Sequence, residues 1–276
     1  MAIGVFDSGL GGLTIVGELR RRYPRERILY YGDTLRVPYG ERRPEELICL
    51  ADRITRYLIR EGASLVIDAC NTTSALALDY LLEKYGDRAE LVGVVAPASR
   101  AAACLARRTV GILATEATTR SGVYQRMILS GRDGLQVIGV PCSRLVPFVE
   151  AGDLDSYMVR EAVEAYVEPL MEQGADTLVL GCTHYPFLRP LIDDVTQRRV
   201  AMVDPACEVV KDIRFYVPGD ARESVCFVSG DPGTFRELAD RLLPEHGFSR
   251  FAFHDVMEEG DDEDGQDCPC AAAGTI

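Results

Sequence analysis

A chain of 276 residues, 47% hydrophobic and 26% charged, lies within ordinary globular usage, which excludes collagenous, coiled-coil and wholly disordered classes and leaves room for one large or two smaller domains. Its net charge of −13 is local: seven acids fall in 258–276, a stretch with no Lys or Arg, so the remainder carries only −6. A mildly acidic body with no basic stripe argues against nucleic acid as a partner, and the absence of any apolar run near roughly 18 residues argues against a membrane span.

Met1 leads straight into strand-like Ala2 to Phe6 with no basic leader, so an unexported, cytoplasmic protein is expected. Asp7-Ser8-Gly9-Leu10-Gly11-Gly12 then forms a polar, glycine-rich turn before helical Leu13 to Arg22. It is neither GxGxxG nor a P-loop, because Thr14 stands where the third glycine would be and no Gly-Lys-Ser/Thr follows. A strand at Ile28 to Gly32 precedes the clearest helix, Pro44 to Glu61, where Leu47, Leu50, Ile54 and Leu58 keep helical spacing and Pro44 suits the first position. Further strands are predicted at Leu65 to Ala69, Leu91 to Val95, Thr109 to Leu113, Leu135 to Gly139, Thr177 to Leu180, Val200 to Val203, Val225 to Val228 and Arg250 to Phe253.

Short apolar runs alternating with helical segments make an α/β fold with mainly parallel sheets. The pattern restarts at Val110-Gly111-Ile112-Leu113, so two similar doubly wound domains are expected. The first would comprise 1–96 plus 206–256 and the second 97–205. The acidic tail, 257–276, cannot bury enough apolar surface to order itself and is expected to be disordered.

Ligands of open parallel sheets sit beyond the carboxyl ends of strands. Two strands end in the same way, Ala69-Cys70-Asn71-Thr72-Thr73-Ser74 and Gly181-Cys182-Thr183-His184-Tyr185-Pro186: a thiol, then small hydrogen-bonding side chains at a helix start. Such a setting is expected to lower a thiol's pKa and make it a candidate acid or base. Cys49, Cys104, Cys142, Cys207 and Cys226 lack that context and are read as small buried hydrophobes. Asp7 and His184 could orient or exchange a proton with a thiol. Two thiols on opposed domains can invert a carbon that bears hydrogen, one removing a proton from one face while the other delivers one to the opposite face. No cofactor is expected. Lys84 and Lys211 sit in helical segments, not at a strand-to-helix turn where a Schiff base could form, and His184, His246 and His254 fall at no zinc spacing.

At these residues the sequence resembles the glutamate racemase family. The resemblance is carried by Phe6 to Gly12, Gly32-Asp33 with Val37-Pro38-Tyr39-Gly40, Ala69 to Thr72 with Ser74-Ala75, and Leu180 to Pro186. It implies a cofactor-independent isomerase that supplies D-glutamate for peptidoglycan, two α/β domains with the site in the cleft between them, and a homodimer. It also implies that Cys70 accepts the α-proton of the D-isomer and Cys182 that of the L-isomer. Asp7 would assist Cys70; His184 and Glu150 would assist Cys182. Asp7, Ser8, Tyr39, Gly40, Asn71, Thr72, Thr118, Thr183 and His184 would bind glutamate. Ala96-Pro97-Ala98 departs from the family's Glu-Pro-Gly, and Asp204-Pro205 from its Asp-Ser. The rival readings are a racemase of aspartate or another amino acid, a non-catalytic two-domain amino-acid binding protein, and a redox switch closed by a Cys70 to Cys182 disulfide.

Overall fold

The computed structural model describes residues 2–213 and 223–258. Ten strands are present: β1 Ala2–Asp7, β2 Ile28–Gly32, β3 Ala63–Asp68, β4 Glu90–Gly93, β5 Thr109–Ala114, β6 Gln136–Pro141, β7 Ala175–Gly181, β8 Ala201–Val203, β9 Val225–Val228 and β10 Arg250–Phe253. The helices are α1 Leu13–Arg22, α2 Pro44–Arg60, α3 Asn71–Leu76, α4 Leu78–Tyr85, α5 Val95–Leu105, α6 Glu116–Ser121, α7 Val123–Gly131, α8 Leu145–Glu150, α9 Tyr157–Glu172, α10 Arg189–Val195, α11 Pro205–Asp212 and α12 Pro232–Leu242.

The strands form two all-parallel sheets, a six-stranded one in the order β10-β9-β2-β1-β3-β4 and a four-stranded one in the order β6-β5-β7-β8. Helices cover both faces of the larger sheet. On one face Leu13, Val16 and Leu19 of α1 and Val209 and Val210 of α11 pack against Ile3, Val5, Leu65 and Ile67. On the other, Ile54 and Leu58 of α2 pack against Phe6, Leu29 and Val66. Burial on both sides is why these strands read as unbroken apolar runs. α2 starts on Pro44 with Glu45 and Glu46 in its first turn and Arg60 in its last, each charge set against the helix dipole.

In each sheet the strand order reverses at one place, between β1 and β3 in the larger sheet and between β5 and β7 in the smaller. These are the switch points where loops diverge and leave a crevice. β3 runs into Cys70 and β7 into Cys182, so both thiols arrive at switch points.

The strand predicted over Leu91 to Val95 ends at Gly93; Val95 instead opens α5, which carries the chain to the second sheet with Pro97 in its first turn, where a missing N–H costs nothing. On the return path Asp204 caps α11, its carboxyl accepting the Ala206 N–H at 2.9 Å. α11 packs on both α1 and α5. Of the acidic tail, 259–276 lie outside the described residues. Met257 is partly buried against the cluster of Tyr39, Leu47, Leu50 and Cys70.

Candidate active site

Asp7, the last residue of β1, is fully buried. Its Oδ2 accepts the N–H groups of Gly9 and Gly12, both at 3.1 Å, and its Oδ1 accepts the Thr183 hydroxyl at 3.1 Å. The carboxylate thus closes the glycine turn and reaches across to the segment after β7. Burial raises its pKa above the usual carboxylate value, against the opposing pull of His184 and these donors.

The two sheets are clasped at two more points around the same space, and a third contact within the smaller half borders it. Thr72 on α3 meets Thr115 at 3.0 Å and Thr118 at 3.2 Å, and Thr115 meets Thr118 at 2.9 Å, a triangle of hydroxyls. Thr115 also caps α6 by accepting the Thr118 N–H. Tyr124 on α7 donates to Asn71 Oδ1 at 2.6 Å. Glu150, the last residue of α8, accepts from His184 Nε2 at 2.5 Å, and this turns His184 Nδ1 towards Cys182 Sγ, 3.6 Å away.

Within the clasps lies a small cavity. Both Cys70 and Cys182 line it, with Ser8, Tyr39, Gly40, Asn71, Thr72, Thr183 and His184. Three of the residues singled out by the sequence do not line it: Asp7 stands behind Thr183, Glu150 behind His184, and Thr118 behind Thr72. Val37, Pro38, Thr115 and Val146 complete the wall. The available signal for Thr115 was its cap position at the end of β5, the counterpart of the two Cys positions. Val146 gave none, since an apolar residue in a short helix reads as core. Tyr39 presents its ring, because its hydroxyl donates to Asp33 Oδ2 at 2.6 Å.

The two thiols differ electrostatically. Cys70 was expected to have a lowered pKa at a helix start, yet burial, with Asp7 and Asp68 nearby, pushes it up. The six-residue α3 supplies too little positive potential to offset burial beside two acids. Cys182 instead faces a histidine. Burial alone would lower the pKa of His184, but Cys182 and Glu150 outweigh it and raise it well above the ordinary value. Glu150 is correspondingly held below its ordinary value; burial opposes this, and the hydrogen bond from His184 is the largest favourable cause. The cavity therefore has on one wall a cysteine whose pKa is raised and, on the other, the Cys182 sulfur beside a histidine whose pKa is raised. Of the remaining cysteines, Cys49, Cys142 and Cys226 are buried, whereas Cys104 is exposed, contrary to its reading as a core residue. It ends α5 on the solvent side, which the sequence spacing of Ala101 to Leu105 did not separate from the core side.

This pair sets a pH dependence. A raised histidine pKa contributes stability that is complete below the unfolded value of 6.5 and lost as pH rises through the folded value. A lowered glutamate pKa contributes stability present above 4.5 and lost as pH falls through the folded value. Glu150→Gln should therefore cost about 1–3 kcal/mol at pH 6, a gap that narrows as pH rises through the folded histidine value. Urea unfolding of both proteins from pH 6 to pH 10 checks this; a constant or widening gap would contradict it.

Among the described residues no group of three or more His, Cys, Asp or Glu could hold a metal ion, and no helix is long and apolar enough to cross a membrane. The sequence profile described as Asp/Glu/Hydantoin racemase matches residues 19–213. A protein named glutamate racemase from Desulforudis audaxviator is 40% identical over 256 residues, covering 87% of this chain and 93% of that one. Another of that name, from Gloeobacter violaceus, is 43% identical over 244 residues, covering 87% and 91%. Among solved structures, glutamate racemase from Francisella tularensis in complex with D-glutamate superposes with a TM-score of 0.85 at 29% identity, covering 94% of this chain and 98% of that one. Glutamate racemase from Thermus thermophilus in complex with beta-chloro-D-alanine gives 0.82 at 37% identity, covering 94% and 98%. With its two parallel sheets and a cysteine at each switch point, the chain belongs to the Asp/Glu/Hydantoin racemase family.

Proposed function

We propose that this protein is a glutamate racemase, an isomerase that interconverts L- and D-glutamate by passing protons between its own side chains and the α-carbon. The observation that carries the reading is that Cys70 and Cys182, each following a strand at a switch point, line one cavity. Cys182 takes the α-proton from L-glutamate while Cys70, held as a thiol, delivers its own to the opposite face; the reverse reaction exchanges the roles. His184, fixed by Glu150, supplies the charge that balances Cys182 as it gains and loses its proton. Asp7 positions Thr183 and sets the charge near Cys70.

The difficult step is forming a carbanion beside a carboxylate. A closed site that replaces water with fixed donors stabilises the charge developing on that carboxylate. Ser8, Asn71, Thr72, Thr115 and Thr183 furnish neutral hydroxyl and amide groups around the cavity, and Thr118 steadies Thr72 from behind. Tyr39 and Gly40 shape the wall. The substrate's own ammonium group, brought next to Cys70, would favour the thiolate that burial disfavours.

The domain division that fits this reading is 1–96 with 206–256 against 97–205, supported by sheet membership, with α5 and α11 as the two crossings. The family resemblance further supports a cytoplasmic homodimer making D-glutamate for peptidoglycan. Glutamate over aspartate is favoured by the relatives' names at 40–43% identity. Incubation of L-glutamate in deuterium oxide without added cofactor should yield D-glutamate carrying α-deuterium, with L-aspartate unchanged. Ligand-induced stabilisation with no α-exchange would instead indicate a binding protein, and loss of binding on oxidation would indicate a redox switch.

A further inference from the structure

Asp68 is an acid at a strand position whose neighbours in the pattern are apolar. Successive residues of a strand face opposite sides of the sheet. Leu65, Ile67 and Ala69 enter the core shared with α1, and Val66 packs on the other side with Phe6, Ile54 and Leu58, so Asp68 shares the face of Val66. It is 1% exposed. Oδ1 accepts the Thr73 hydroxyl at 2.5 Å, and that hydroxyl also lies 3.3 Å from the Cys70 carbonyl oxygen. Oδ2 is buried with no hydrogen-bond partner among the described residues.

An ionised carboxylate with a buried, unpartnered oxygen is far more costly than a neutral acid in the same place. Burial accordingly raises the pKa of Asp68 well above the ordinary value. Its donor, Thr73, stands in the first turn of α3, the helix that Cys70 caps. We propose that Asp68 is a positioning residue for Cys70: through the Thr73 hydroxyl it holds the first turn of α3, with the Cys70 carbonyl, against the end of β3, fixing the elbow between β3 and α3 that aims the sulfur into the cavity. This inference rests on the reading of Cys70 as a proton donor and acceptor.

The test uses initial rates with D- and L-glutamate carrying hydrogen or deuterium at the α-carbon. Asp68→Ala and Thr73→Val should lower kcat/KM by roughly 10- to 100-fold, the cost of a misplaced reacting group. The deuterium effect should grow for D-glutamate, whose proton Cys70 removes, and not for L-glutamate. A general loss of structure would not produce that asymmetry. Asp68→Asn, which keeps an uncharged acceptor, should stay within about threefold of wild type. Wild-type rates for Asp68→Ala, equal changes in the two isotope effects, or an asparagine variant as slow as the alanine one would each overturn the proposal. If Asp68→Ala does not fold, Thr73→Val decides by the same isotope criterion. Racemisation by Cys70→Ala would overturn the reading of Cys70 itself, so the two failures are distinguishable.

Discussion

Cys70→Ala and Cys182→Ala each reduce racemisation to background when circular dichroism follows either isomer without added cofactor. Inversion needs an acid on the face opposite the base, and each variant leaves one face without a sulfur. Losing a positioned acid or base costs about 100- to 10,000-fold on its own, and inversion needs both groups in one turnover. A sharper signature lies in exchange. With only Cys182 left, L-glutamate can lose its α-proton and regain deuterium on the same face, so Cys70→Ala should label L-glutamate slowly while D-glutamate stays unlabelled. Cys182→Ala should show the converse. Both thiols are nearly buried, yet truncation to alanine removes one atom and should cost only about 1 kcal/mol, so both variants remain folded. Substantial racemisation by either one would defeat the two-thiol mechanism.

Gly11→Ala should be nearly as damaging although Gly11 carries no chemistry. A Cβ there would overlap Thr183 Oγ1 and stand 2.7 Å from Thr183 Cβ and 2.9 Å from His184 Nδ1. Thr183 cannot turn aside, because its hydroxyl is held by Asp7 and its Cβ is fixed to the backbone. The glycine turn and the Cys182 segment must therefore separate. Displacement by about 1 Å costs on the order of 100-fold in rate, and that is the expected fall in kcat/KM. Gly17→Ala is the control. It lies inside α1, and its Cβ would meet Leu243 at 3.4 Å, an ordinary contact. It should retain full activity and gain about 0.5–1 kcal/mol from helix propensity. Equal activities for the two variants would show that close approach at Gly11 does not hold the site together.

The places where sequence and structure part company share a cause. Val94 and Val95 read as the end of β4 because β-branched residues after an apolar run look like strand; packing of α5 on α11 draws Val95 into a helix. Cys104 was indistinguishable from Cys142 by spacing, and only its place at the end of α5 leaves it in solvent. The lowered pKa expected for Cys70 follows from its cap position, but it omits Asp7 and Asp68, which strand pairing brings to the same corner.

The residue pattern by itself determined the α/β class, the position of nearly every strand and the two strand-end cysteines. Apolar runs and the polar segments that follow them are local properties, each set by neighbours a few residues away. The family motifs pointed to Asp7, Glu150 and His184 without showing how they meet. Only the tertiary structure decided that Asp7 reaches Thr183, that Glu150 turns His184 towards Cys182, that Thr115 joins Thr72 and Thr118, and that Asp68 lies buried beneath Cys70. Most of those contacts join residues tens of positions apart, and burial, which governs the proton affinity of each group, exists only once the sheets have closed around them.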